Sequence, residues 1–155
     1  MSRVEDRLLE LGLSLPPVAT PLAAYVPAVR HGGLVWTSGQ LPIVDGVLVA
    51  TGKVGAEVDP DVAPALAKIC ALNALAAVRS AVGDLDEVIR VVKVVGYVAS
   101  APEFTGQPAV VNGASNLLGD VFSSAGTHAR SAVGVAALPL DAPVEVEIVV
   151  AVAES

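Results

Sequence analysis

Residues 59–100 read DPDVAPALAKICALNALAAVRSAVGDLDEVIRVVKVVGYVAS, and the way this stretch divides decides the fold. Asp59 is placed as an N-cap, Pro60 suits a first helical turn and Gly83 suits the exit, so the first half predicts a long helix. Asp61, Lys68 and Arg79 stand seven and eleven residues apart. At about 100° per residue they share one narrow stripe, which leaves most of the circumference apolar and the helix covered on several sides. The second half, residues 86–100, is β-branched with few alternating polar positions, which predicts a strand in the interior of a sheet.

Working outward toward the C-terminus, PAVVNGASNLLGDVFSSAG (108–126) predicts a second helix, weakened by Gly113 and Gly119. ARSAVGVAAL (129–138) and VEVEIVVAVA (144–153) predict two strands that turn at PLDAP as a hairpin, setting Glu145 across from about Ala136. Toward the N-terminus, AYVPAVRHGGLVWTSGQLP (24–42) reads as two strands around Gly32-Gly33, a dipeptide suited to a tight turn. That register places Tyr25 opposite Gly39 and Gln40. VLVATGKVG (47–55) predicts a third short strand. SRVEDRLLELG (2–12) carries a capping box, Ser2 with Glu5, and a stop at Gly12, which predicts a short helix. LSLPPVATPLA (13–23), with three prolines, predicts an extended arm.

The order is three strands, a helix, a strand, a helix and two strands. This predicts an α+β fold, a mixed sheet with two helices on one face and a short N-terminal helix in addition. The chain of 155 residues fits one domain, 1–155, of which 1–22 are the N-terminal helix and arm. Hydrophobic residues make up 54% and charged ones 16%, which predicts more apolar surface than one monomer hides, and hence self-association. A net charge of −7 with scattered Lys and Arg argues against a nucleic-acid partner. The charged N-terminus and the lack of any run of about 18 uncharged apolar residues predict a soluble, cytoplasmic protein with no membrane partner. Cys70 is the single cysteine and there are two histidines. An internal disulfide and a multi-thiolate metal site are excluded, and no metal is expected.

Arg130 heads an otherwise small and apolar strand. If the last two strands form a hairpin, Arg130 lies six residues from the position facing Glu145, roughly 20 Å away at about 3.3 Å per residue. The two can then serve one site only if a second subunit or a neighbouring strand brings them together. A guanidinium presents a planar fork that matches a carboxylate. With Tyr25 and TSGQ (37–40), where Gly39 lets a backbone N–H approach a ligand, it would make a polar pocket for a small acid.

At these residues a resemblance is plain. AYVPAVRHGGLVWTSGQLP, the asparagine of VVNGASN (110–116) and HARSAVGVAALPLDAPVEVE (128–147) resemble the Rid family, the reactive intermediate deaminases also called YjgF/YER057c/UK114, over about residues 23–152. The resemblance implies a chorismate-mutase-like fold, a homotrimer and active sites in the clefts between subunits. The activity it implies is hydrolysis of enamines and imines such as 2-aminoacrylate to a 2-oxo acid and ammonia, with no cofactor. It further implies that Arg130 clamps the substrate carboxylate, that the Gly39 N–H helps with Ser38 beside it, and that Asn112 lines the pocket. Tyr25 matches the family tyrosine and Glu145 the acid that holds the attacking water. Ala132 stands where the family often has a cysteine, so that thiol's role is absent and only a backbone contact remains. AAY replaces the usual Gly-Pro-Tyr, which leaves the substrate range open.

Two other readings stand beside this one. The same cleft could bind or sense a 2-oxo acid without turnover, or the chain could be an endoribonuclease, against which its acidity speaks. Glu147 is expected on a solvated sheet face, His31 and His128 toward solvent, Cys70 in the core, and Lys93 in a structural role.

Overall fold

The computed structural model describes residues 2–19, 21 and 23–154; Thr20 and Leu22 of the predicted arm, with Met1 and Ser155, lie outside the described residues. Helix α1 (Arg3–Glu10) is capped as its sequence requires. The Glu5 N–H donates to Ser2 Oγ at 3.0 Å, and Gly12 leaves the helix at φ +76°. The Asp86 carboxylate accepts the N–H groups of Arg3 and Val4 at 2.9 and 3.0 Å, and Leu8 is fully buried, so α1 is docked onto the domain.

Strands β1 (Ala28–His31) and β2 (Leu34–Thr37) form the predicted hairpin, with Ala28 opposite Thr37. The Ser38 N–H continues the pairing to the Pro27 carbonyl at 2.8 Å. The third strand is shorter than expected. Only β4 (Val47–Leu48) forms within it, and Asp45 and Gly46, both at positive φ, join it as an Asp-Gly turn to a two-residue strand not foreseen from the sequence, β3 (Ile43–Val44). Gly52, at φ +107°, turns the chain away soon after β4.

Helix α2 (Ala63–Val82) begins later than Asp59 and Pro60 suggest. The Asp59 carboxylate accepts the Asp61 N–H at 2.8 Å in a turn of its own, and Pro64 takes the first-turn position. Gly83, at φ +87°, ends the helix as expected. By length and composition α2 could cross a bilayer, but most of its apolar span is buried inside this fold.

Strand β5 (Val88–Ala99), helix α3 (Gln107–Phe122) and strands β6 (Ala129–Val135) and β7 (Val144–Val152) complete the domain. The five-stranded sheet runs β1-β2-β7-β5-β6, with β5 and β6 parallel and the other pairs antiparallel. The expected β6–β7 hairpin is therefore corrected. Both strands pair with β5, one on each edge, because an interior strand needs partners for both rows of backbone groups. Residues 136–143 cross the end of β5 through a turn at Pro139–Asp141, where Leu140 and Asp141 hold positive φ. Gly52 N–H fastens this turn at the Asp141 carbonyl, 2.9 Å away.

Helices α2 and α3 cover one face of the sheet, burying Val94 and Val98 of β5 and Val146 and Ile148 of β7 against Leu75 and Leu118. Two glycines set how closely they approach. A Cβ at Gly113 would overlap the Pro64 carbonyl of α2, and one at Gly96 would overlap the Val111 side chain of α3. Gly113 weakens α3 as an isolated helix and is what lets it pack. No helix covers the opposite face among the described residues, and it displays Val29, Trp36 and Val133, all more than two-fifths exposed.

Candidate active site

Between β2 and β7 the register slips by one residue. Leu34, Val35 and Trp36 pair with Ala151, Val150 and Val149, whereas Gln40 pairs with Val146. The extra residue bulges the chain at Ser38 and Gly39. Thr37 Oγ1 accepts the Ile148 N–H at 3.0 Å, satisfying a group the bulge leaves unpaired. Gly39 thereby lies directly on Glu145, and a Cβ there would overlap the carboxylate.

Tyr25, Ser38, Gly39 and Glu145 line one cavity of about 390 Å³, together with Pro27, Leu41 and Pro139. Tyr25 and Gly39 thus share a cavity wall just beyond the last hairpin bond, from the Ser38 N–H to the Pro27 carbonyl. Tyr25 is 47% exposed, so one side of the phenol remains uncovered. Ser38 Oγ donates to the Val26 carbonyl at 2.6 Å and braces the wall. Among the described residues the Gly39 N–H has no acceptor, which leaves it free for a ligand. Buried Asn73 of α2 fixes the floor, donating from Nδ2 to the carbonyls of Leu41 and Ile43, each at 3.0 Å.

Glu145 is half-buried, and burial first and the Glu147 charge second push its carboxyl above the ordinary range. Tyr97, which pairs with Glu145 across β5 and β7, donates its hydroxyl to Glu147. That hydrogen bond, with burial and the neighbouring acids, pushes the Tyr97 phenol up to about 12. Glu147 is accordingly a half-buried, hydrogen-bonded acid, which corrects the reading of it as a solvated face residue. Lys93 also finds a local partner, donating to Ser131 Oγ at 3.3 Å.

Arg130 lies elsewhere. It pairs with Val94 on the helix-covered side of the sheet, whereas Glu145 and Glu147 alternate with the buried valines of β7 and occupy the open side. Gly96 lets α3 settle close to the sheet, and Arg130 Nη1 donates to Asn112 Oδ1 at 2.7 Å and to Ser115 Oγ at 3.3 Å. Nε and Nη2 have no acceptor among the described residues, and Arg130 belongs to none of the ion pairs among them. The surface ion pair that is the ordinary fate of an arginine is absent there. Ala132 shares the arginine's face two residues along β6, opposite Gly96.

The structure thus gathers Tyr25, Ser38, Gly39 and Glu145 in one place and Arg130 with Asn112 in another, and a single chain does not join them. Two further residues escape a reading of the sequence. Ser115 stands three positions after Asn112 on α3, a spacing that puts both on one face and could have flagged it. His128, expected toward solvent, is half-buried and bonds to Ser115 Oγ at 2.8 Å and to the Gly126 carbonyl at 2.6 Å.

Comparisons with known proteins agree with this architecture. The Trypanosoma cruzi protein TCP17 is 46% identical over 149 residues, 96% of this chain and 93% of that one. The crystal structure of Atu1372, a protein of unknown function from Agrobacterium tumefaciens, is 47% identical with a TM-score of 0.91, covering 97% of this chain and 93% of the other. TdcF of E. coli, solved with bound serine, is 25% identical with a TM-score of 0.63, covering 90% and 94%. A family model described as "YjgF/chorismate mutase-like, putative endoribonuclease" matches residues 5–152. The mixed sheet with its helices on one face has the fold of that group, and the chain belongs to the YjgF, or Rid, family.

Proposed function

We propose that this protein hydrolyses small enamines and imines bearing a carboxylate, 2-aminoacrylate being the simplest, to a 2-oxo acid and ammonia, in sites shared between the subunits of a homotrimer. The observation that carries the proposal is the division of the candidate residues between two faces. One half-site holds a carboxylate of raised pKa beside a free backbone N–H and a phenol. The other holds an arginine that, among the described residues, has unsatisfied donors and no acidic partner. Each supplies what the other lacks, and the exposed Val29, Trp36 and Val133 on the open sheet face offer surface for a second copy.

In this reading Arg130 and the Gly39 N–H grip the substrate carboxylate, with Asn112 holding the guanidinium in place. The enamine takes a proton on its terminal carbon and becomes an iminium, whose central carbon is electrophilic. Glu145 accepts a proton from water as the oxygen bonds to that carbon, a step its raised pKa favours. The resulting carbinolamine gives up its hydroxyl proton to solvent, which restores the one taken up by the terminal carbon, while the proton held by Glu145 passes to nitrogen and the C–N bond breaks to release ammonia and the carbonyl. Tyr25 donates to the developing hydroxyl or amine. Water is the sole co-reactant. Ala132 contributes no thiol and leaves only its backbone as a contact.

The test is release of 2-oxo acid from 2-aminoacrylate generated in the cuvette. Wild type accelerates it and Arg130→Ala lowers kcat/KM by roughly 100-fold, the worth of two charge-assisted hydrogen bonds. No acceleration by wild type would sink the activity. A second reading, binding or sensing of a small acid without turnover, draws support from the serine bound to TdcF. It predicts saturable binding of a 2-oxo acid with no rate enhancement. Cleavage of RNA is disfavoured by the net charge of −7, and an RNA assay with Arg130→Ala as the control separates it from contamination.

A further inference from the structure

We infer that His128 is a positioning residue, which fixes the direction of Arg130 through the hydroxyl of Ser115. The inference rests on the reading of Arg130 as the carboxylate clamp. It begins with a carbonyl. Gly126 is buried against α3, where a Cβ would overlap the Leu118 carbonyl, so its own oxygen is held at a fixed point. A carbonyl only accepts, so the 2.6 Å contact places the ring proton of His128 on Nδ1.

The direction of every other hydrogen bond in the series depends on that proton. In neutral imidazole Nε2 is then an acceptor, and the Ser115 hydroxyl, 2.8 Å away, must donate to it. With its hydrogen committed, Ser115 Oγ can only accept on its remaining side, where Arg130 Nη1 stands at 3.3 Å. All three bonds run in one sense, from guanidinium to serine to imidazole to carbonyl. Asn112 Oδ1 supplies a second acceptor at 2.7 Å, from one turn earlier on α3. Nη1 is thereby tethered at two points, and the planarity of the guanidinium carries Nη2 and Nε into a set orientation toward the ligand.

A free serine hydroxyl would rotate and could present its own hydrogen to the arginine. His128 removes that freedom. No carboxylate takes part in the series, so the guanidinium keeps its whole charge for a ligand, which a direct Asp or Glu partner would neutralise.

The experiment measures binding of 2-oxobutyrate by calorimetry and, in parallel, kcat and KM for imine hydrolysis, in His128→Ala, His128→Gln, Ser115→Ala and the His128→Ala/Ser115→Ala double variant. His128→Ala weakens binding and raises KM by roughly 3- to 10-fold, the worth of one net hydrogen bond, with kcat changing by less. His128→Gln, whose amide oxygen reaches the Nε2 position, recovers most of the loss. The double variant is no worse than Ser115→Ala alone, because the histidine acts only through the serine.

Unchanged binding in a folded His128→Ala protein overturns the inference, as do additive losses in the double variant. Should His128→Ala unfold, Ser115→Ala and His128→Gln decide. Equal affinity in wild type and Ser115→Ala would refute the relay. The two readings fail separately. A wild type that binds 2-oxobutyrate in a His128-dependent way without turnover refutes the deaminase and keeps the relay. Turnover that is indifferent to His128 does the reverse, and a wild type that neither binds nor turns over refutes both.

Discussion

On the open face of the sheet Glu145 sits half-buried with another acid for a neighbour, whereas on the helix face Arg130 is held by the neutral oxygens of Asn112 and Ser115. The first arrangement changes how tightly a group holds its proton. The second changes where a group points while leaving its charge untouched. A base needs the former, and an anion clamp needs the latter. The contrast teaches that one strand pattern can supply both kinds of environment, because alternate residues of a sheet meet different surroundings on its two sides.

The largest effect that would break this contrast is expected at Glu145. Glu145→Gln keeps the shape of the cavity and removes the proposed base, so kcat for the proposed imine hydrolysis is expected to fall about 10²- to 10⁴-fold while binding of 2-oxobutyrate persists. The same change raises stability near neutral pH. Folding raises the pKa of this acid, so its ionised form is disfavoured in the native state, and the penalty is present above the native pKa and relieved as pH falls through it. Thermal melting of Glu145→Gln against wild type at neutral pH measures this, and a lower Tm in the variant would contradict it.

A smaller but more diagnostic effect concerns the sharing of sites. Co-expression of Arg130→Ala with Glu145→Gln chains in equal amounts reconstitutes about one quarter of the wild-type sites if each joins two subunits at random, since one such pairing in four is intact. Each variant expressed alone stays near background. Activity that remains at the mean of the two single variants would place Arg130 and Glu145 in one chain after all.

The smallest effect lies with Tyr97. Its phenol is held to about 12 by the bond to Glu147, against about 10 when unfolded. The native state therefore keeps the proton over a window in which the unfolded state loses it. The stability this bond gives is complete below pH 10 and declines as pH rises toward 12. Tyr97→Phe removes that decline, as denaturant midpoints measured between pH 9 and 12 would show, and an unchanged slope would mean that the bond does not form.

What is legible in the sequence is local. The capping of α1, the turn at Gly32-Gly33 and the exit of α2 at Gly83 depend on a few adjacent residues, and each stands where its residues put it. The same turn sends Tyr25 and Gly39 to one end of the hairpin, where both line one cavity. The pairing of β6 and β7 is not legible, because the choice between joining each other and joining β5 from two sides depends on a strand whose paired residues, from Lys93–Ala129 to Val88–Val152, lie 36 to 64 residues away in the chain. The start of α2 departs from expectation because Asp59 closes a turn of its own before the helix begins. His128 is hidden for a similar reason. Gly126 is two residues away in the chain, but Ser115 is brought to it by the packing of α3, and nothing in residues 127–129 announces that partner.

Trp36 is the single tryptophan of the chain, and it stands 53% exposed on the uncovered side of the sheet, between Val29 and Val149. An indole in that position is a lamp fixed to the surface that a second copy would occlude. Its emission reports on water contact there without any label, red while the face is wet and blue if a second copy covers it. If copies meet on this face, as proposed, the chain carries its own optical gauge of assembly, and the concentration at which the colour turns would be the one at which the two proposed half-sites come apart.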